Sequence, residues 1–165
     1  MTRIEPVYST RNFRDLFRIA ENMEIPFTIH AGEAAGAESI KEAILFGARR
    51  IGHGCSAFDE PSLVDTIRYK NIGVECCPTS NLQTKAVVDY ENHPIWKFLQ
   101  NGVLCTINSD NMTVSDTDVK REFDHLYKDS RFSDKIFDHL LRNSIYSSFL
   151  SEEEKDELFE KVGGK

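Results

Sequence analysis

The sequence predicts an α/β fold built on parallel strands, and three observations carry that expectation. Short apolar runs alternate with stretches of helical periodicity along the chain. The runs read as nearly continuous apolar segments, the mark of strands joined by right-handed helical crossovers. Each of several runs also ends abruptly in polar or small residues, at the strand edge where parallel sheets gather their ligands.

The elements follow in order. A first helix is expected over Asn12 to Met23, where Phe13, Leu16, Phe17 and Ala20 fall at helical spacing. Ile25, Pro26 and Phe27 then open a strand that runs to His30. In SIKEAILFGARR, Ile40, Ala43, Ile44 and Gly47 share a face, and Gly47 closes the helix. A second strand spans Arg50 to Gly54. Asp59 reads as the N-cap of a helix through Ile67. Ile72 to Pro78 reads as a third strand, apolar enough to be covered on both faces. HPIWKFLQNG forms a helix ended by Gly102, and VLCTIN is a fourth strand that stops in NSDNMTVSD.

From Ser115 onward the pattern is helical. Val119, Phe123, Leu126 and Tyr127 form one stripe; Ile136, Phe137, Leu140, Leu141, Ile145 and Phe149 form another. Ser151 and Glu154 have the spacing of a capping box for a last helix, and KVGGK reads as a frayed tail. No low-complexity linker or internal repeat divides the chain, so residues 1–165 are read as one unit.

Composition narrows the function classes. The 165 residues are 40% hydrophobic and 28% charged, which suits one globular domain. A net charge of -7 with no basic stripe argues against a nucleic-acid partner, since such binding needs concentrated Lys and Arg. MTRIEPVYSTRN lacks the apolar core of a signal peptide and no run is long enough to span a bilayer, so no membrane partner and a cytoplasmic location are expected. Cys55, Cys76, Cys77 and Cys105 lie in or beside apolar runs without Cys-x-x-Cys spacing and read as reduced packing residues.

The strand ends carry the chemistry. His30 and Glu33 in HAGE, His53 in IGHG and Asp110 in NSDN each stand where a strand has just finished, so they converge on one rim. An imidazole and a carboxylate are the usual nitrogen and oxygen ligands of catalytic zinc, which makes His30 and Asp110 the candidate metal ligands. Glu33, a turn beyond, is placed to carry protons, and His53 to orient a water. Each residue also has a plain structural reading: a hydrogen-bonded turn histidine, an Asx turn at Asp110, a helix-capping carboxylate at Glu33. His93, His125 and His139 are expected in solvated or capping roles, and Trp96 in the core.

HAGE, RIGHG about twenty residues later, CPTSN on the next strand and NSDN after the fourth resemble, in order and spacing, the adenosine deaminase family of zinc aminohydrolases. The resemblance runs from about Ile25 to Asp118. It implies a TIM-type (β/α)8 barrel and hydrolytic deamination of a purine nucleoside, in which a zinc-bound hydroxide attacks C6 and ammonia leaves. By position, His30 resembles a metal histidine and Asp110 the metal aspartate, which also accepts a proton from the attacking water. Glu33 resembles the acid that protonates N1, and His53 the histidine that holds the hydroxide. Where the family has a second aspartate that binds purine N7, this chain has Asn111, whose amide can donate the same hydrogen bond. The Pro-Cys-x-x-Cys element of cytidine deaminases is absent.

One part of the family pattern is missing. The His-x-His pair that supplies the other zinc histidines occurs nowhere in the sequence. A complete barrel takes about 250 residues and eight strands, whereas four strands are expected here. The chain is therefore read as about half a barrel, the carboxyl-terminal half of a deaminase catalytic domain: four βα units plus terminal helices. Alone it should hold zinc weakly and be inactive. Its open edges favour a homodimer or pairing with an amino-terminal half-barrel. Two rivals remain: AMP or adenine deamination, and a catalytically silent half-barrel that serves as an assembly partner.

Overall fold

The structure is a computed structural model that describes residues 9–163. Four parallel strands form one sheet in the order β1 (Thr28–Ala31), β2 (Arg50–His53), β3 (Gly73–Cys76) and β4 (Cys105–Ile107). Spatial order equals chain order, so every crossover advances in one direction. That is the arrangement of a barrel segment, as opposed to a doubly wound sheet whose order reverses.

Helices fill the crossovers. A 3-10 turn (Thr10–Phe13) and α1 (Arg14–Asn22) precede β1, and α2 (Gly36–Leu45) joins β1 to β2. A 3-10 turn (Ala57–Asp59) and α3 (Pro61–Tyr69) lead to β3; α4 (Pro78–Gln83) and α5 (Ile95–Gln100) lead to β4. Beyond β4 come α6 (Met112–Ser115), α7 (Val119–Leu126), α8 (Asp134–Tyr146) and α9 (Glu152–Gly163). No helix among the described residues is long and apolar enough to cross a membrane.

Register explains how the site is presented. Ile29, Ile51, Val74 and Cys105 align straight across the sheet, all buried, and face the helices. Against them pack Ile40 and Ala43 of α2, Leu63, Val64 and Ile67 of α3, Phe98 of α5 and Leu140 of α8. The adjacent row, His30, Gly52, Glu75 and Thr106, faces the opposite side. This second face is polar: Glu75 is paired with Arg50 at 2.7 Å and accepts from Thr28 Oγ1 at 3.2 Å. The expectation that the third strand is apolar on both faces is corrected by Glu75. Its carboxylate is accommodated there because a guanidinium and a hydroxyl meet it on that face.

Several local expectations are refined. The second helix begins at Gly36, and Gly47 follows it with φ +85°, a left-handed stop. Asp59 is not an N-cap; Pro61 takes the first helical position of α3, which moves the cap to Glu60. On α1 only Phe17 and Ala20 are half-buried, while Leu16 and Ile19 are 59% and 54% exposed. On α7 the expected apolar stripe is broken, since Val119 and Tyr127 are exposed and Glu122 is fully buried. The Ser151–Glu154 capping box is present in both directions, at 2.8 and 3.3 Å. Gly163 still belongs to α9; the rest of the expected tail, residues 164 and 165, lies outside the described residues, as does the stretch before residue 9.

Candidate active site and metal centre

All four strands end on the same rim, and the loops there are tightly tied. After β1, the Gly32 N–H donates to Ser39 Oγ at 2.8 Å, which pins the HAGE turn to the start of α2. Gly32 itself has φ +76°, and a Cβ there would stand 2.5 Å from Ile40. After β2, His53 and Gly54 both take left-handed φ, +70° and +62°, and the Gly54 N–H donates to Ala31 O at 3.0 Å. After β4, Asp110 is likewise left-handed at +54°. A histidine and an aspartate held in this sparsely populated region are the kind of backbone strain that functional sites retain.

These turns bring His30, His53 and Asp110 together. One donor atom from each lies within 4.8 Å of the others. Bonds of about 2.0–2.2 Å to a zinc ion set donors about 4 Å apart or less, so small side-chain adjustments would let His30 and Asp110 share one ion with His53 beside it. The donor chemistry, imidazole nitrogen and carboxylate oxygen, fits such an ion. The imidazoles of His30 and His53 meet edge to face at 4.6 Å, with His53 Nε2 3.3 Å from His30 Nδ1. His30 is solvent-exposed on the open face of the sheet, while His53 is buried. Burial lowers the His53 pKa, with the nearby Glu33 carboxylate opposing that shift.

Glu33 stands beside this trio. Its Oε2 lies 3.5 Å from His53 Nε2, and its Oε1 accepts from Thr84 Oγ1 at 2.8 Å and from Asn81 Nδ2 at 3.3 Å. Asn111 caps α6, its side-chain oxygen accepting the Val114 N–H at 3.0 Å. That bond engages the side-chain oxygen and leaves the two amide N–H groups as its remaining donors.

One short helix organises the group, and sequence reasoning missed it. CPTSN was legible as a motif on the third strand, yet Pro78–Gln83 is helical. From α4, Ser80 Oγ donates to Asp110 Oδ2 at 2.7 Å, Asn81 Nδ2 reaches His53 Nδ1 at 2.9 Å, and Thr84 holds Glu33. Polar residues at positions 80, 81 and 84 directly after a strand end were the available signal. Glu122, buried on α7, accepts the Thr79 N–H at 3.0 Å and so anchors the start of α4.

Among the other histidines, His125 is half-buried and stacks on Tyr90 at 4.4 Å, and His139 is exposed. His93 departs from a solvated role: it is buried, caps the Ile95 N–H through Nδ1 at 3.1 Å, and meets Asn81 Oδ1 through Nε2 at 3.1 Å. Trp96 is buried in the core as expected. The four cysteines are free, and burial pushes the thiols of Cys55, Cys76 and Cys77 up, Cys55 to about 12. Thiols that stay protonated are packing groups, not nucleophiles.

The sequence pattern of the family described as "Adenosine deaminase" matches residues 2–165. The adenosine deaminase of Haemophilus ducreyi is 44% identical over 154 residues, which cover 93% of this chain and 45% of that protein. The crystal structure of an adenine deaminase from Arthrobacter aurescens superposes with a TM-score of 0.87 at 30% identity, over 92% of this chain and 47% of that one. A zinc-bound amidohydrolase from Burkhoderia ambifaria shares the fold, with a TM-score of 0.81 at 19% identity, over 98% of this chain and 49% of that one. The chain thus spans a little under half the length of the relatives it matches.

Proposed function

The chain belongs to the adenosine deaminase family, and from that premise we propose that residues 1–165 are the carboxyl-terminal half of a (β/α)8 catalytic domain that hydrolyses adenosine to inosine and ammonia. The observation that carries this reading is the convergence of His30, His53 and Asp110 within 4.8 Å, with Glu33 beside them.

In this reading His30 and Asp110 are this chain's share of a zinc site, and Ser80 fixes the Asp110 carboxylate by its 2.7 Å hydrogen bond. A zinc ion held there would supply Lewis acidity and would lower the pKa of a bound water toward neutrality. Glu33 carries the proton delivered to purine N1, which reduces ring aromaticity and makes C6 electrophilic. Thr84 and Asn81 hold its Oε1, so its other oxygen is directed by default toward His53 and the reacting centre. Asp110 accepts a proton from the attacking water, and His53 holds that oxygen in line with C6. Asn111, its oxygen engaged by the Val114 N–H, donates to N7.

Adenosine is favoured as substrate over adenine by the 44% identity to an adenosine deaminase against 30% to an adenine deaminase. AMP would need cationic groups at the rim to hold its phosphate. Arg50 is not available for that: it sits at the start of β2, paired with Glu75 and stacked 3.9 Å above Phe149. The remaining metal histidines belong to an amino-terminal half-barrel, which is the proposed partner. A cytoplasmic location suits four free thiols.

The test is to purify the chain, measure its zinc content, and follow the ultraviolet change from adenosine to inosine with and without an added amino-terminal half. Turnover only with both halves supports the proposal. Neither zinc nor turnover in either condition would establish the silent assembly domain in its place, and turnover of AMP or adenine in preference to adenosine would move the substrate assignment.

A further inference from the structure

The hydrogen bonds behind His53 start from a donor of fixed identity. The Ile95 backbone N–H meets His93 Nδ1 at 3.1 Å. A peptide nitrogen only donates, so His93 Nδ1 is a bare acceptor. Burial pushes the His93 pKa down to about 4, so the ring is neutral near pH 7 and its single proton lies on Nε2. That Nε2–H faces Asn81 Oδ1 at 3.1 Å and fixes which way the amide points. The Asn81 Nδ2 group then has two N–H bonds, one for His53 Nδ1 at 2.9 Å and one for Glu33 Oε1 at 3.3 Å. His53 Nδ1 is consequently an acceptor too. Its ring proton is on Nε2, beside His30 Nδ1 at 3.3 Å and Glu33 Oε2 at 3.5 Å.

We propose that His93 and Asn81 are positioning residues that set His53 as a hydrogen-bond donor, through Nε2–H, toward the gap between His30 and Asp110. Its catalytic meaning rests on the deaminase reading above; its structural content rests on these side chains and one backbone amide. A neutral His53 protonated on Nε2 presents no lone pair to the gap. It holds an oxygen there by donation, and proton removal falls to the carboxylates. His93 acts from outside the site, through Asn81, and a buried histidine so placed also explains why Asn81 cannot rotate its amide to offer Oδ1 to His53.

The test reads the rings directly. In the full chain labelled with 15N, two-bond proton–nitrogen correlation spectra report which nitrogen of each histidine is protonated, without metal or substrate. His53 and His93 are both expected as single Nε2-protonated forms. Asn81→Asp, whose carboxylate donates nothing, should move the His53 proton to Nδ1. His93→Phe should leave His53 as a mixture of the two forms, and His93→Gln, which keeps an N–H donor, should restore one form. A wild-type His53 that carries its proton on Nδ1, or that is already mixed, overturns the inference even if every variant fails to fold; so does a His53 unchanged in folded Asn81→Asp. Activity is a separate readout. If the two-half enzyme turns over, His93→Phe should lower kcat about tenfold with KM nearly unchanged, as loss of an oriented group does, and an unchanged kcat would count against the inference. Absence of turnover in the unmutated two-half enzyme would remove the deaminase reading and leave the ring assignments standing.

Discussion

His30 occupies the space in front of Gly52. The two are register partners on β1 and β2, and a Cβ at residue 52 would stand 2.5 Å from His30 Cδ2. The first glycine of IGHG is therefore a clearance for an imidazole on the next strand. Gly52→Ala is expected to push His30 out of the gap it shares with His53 and Asp110. Because His30 is exposed and can swing aside, fold stability should fall by less than the roughly 1–3 kcal/mol of a buried overpacking. Zinc affinity should fall about tenfold or more, in line with other changes that misorient a ligand. Chelator competition on the wild-type and Gly52→Ala chains measures this, and equal affinities would mean that His30 is not a ligand.

The fold was legible where it depends on local pattern. The four apolar runs are read correctly as strands because Ile29, Ile51, Val74 and Cys105 all face the helices and must be apolar. The convergence of HAGE, IGHG and NSDN was legible because parallel strands end on one rim whatever their register. The supports were hidden because they are tertiary. Nothing near Asn81 in the chain announces that its two ends will meet His53 and His93, 28 and 12 residues away. Glu122 sits inside what reads as an apolar stripe, and only the Thr79 and Thr117 donors make its burial tolerable. The character of the open face was hidden as well, since the run around Glu75 reads as apolar on both faces and only the fold brings Arg50 of the neighbouring strand to its carboxylate.

Glu122 is the group on which α4 rests. It is fully buried, accepts the Thr79 N–H at 3.0 Å and is held by Thr117 Oγ1 at 2.6 Å. Glu122→Ala would strand a buried backbone N–H and a hydroxyl and leave a void. The expected loss is about 2–4 kcal/mol, combining unsatisfied donors with the cavity. Glu122→Gln, which retains one acceptor oxygen, should lose less. Urea unfolding measures both, and a Glu122→Ala midpoint equal to wild type would remove Glu122 from this role.

Stability should depend on pH through His93. Its pKa is pushed down to about 4 by burial, below the 6.5 of a free histidine. Between those values the unfolded chain binds a proton that the folded chain refuses, so unfolding stability rises with pH across the window and is lost as pH falls from 6.5 toward 4. The full window corresponds to a loss on the order of 3 kcal/mol at its acid end. Buried His53, also lowered, adds loss of the same sign. His93→Gln removes one titrating group, so its urea midpoint should change less steeply than wild type over this range. Parallel profiles for the two proteins would show that His93 is not held neutral.

The outer surface of α1 sets a condition on assembly. Leu16 and Ile19 are 59% and 54% exposed on a helix whose inner side, Phe17, stacks on Phe27 at 5.3 Å and on Phe46 at 5.5 Å. β1 lies at the end of the sheet, with a strand neighbour on only one side among the described residues. At the other end, Asn143 Nδ2 donates to Cys105 O at 2.9 Å and covers an edge carbonyl of β4. Leu16 and Ile19 thus leave an open apolar surface on the side where the chain enters the sheet, and an amino-terminal half-barrel would cover it. Each large aliphatic side chain buried there contributes about 1.5–3 kcal/mol. Leu16→Glu with Ile19→Glu preserves helix-forming residues and should weaken association with the amino-terminal half about 100-fold or more. Sedimentation of the mixed halves measures this, and the chain alone should self-associate through the same surface until the substitutions are made. A wild-type chain that stays monomeric and ignores the added half would show that this face has no partner.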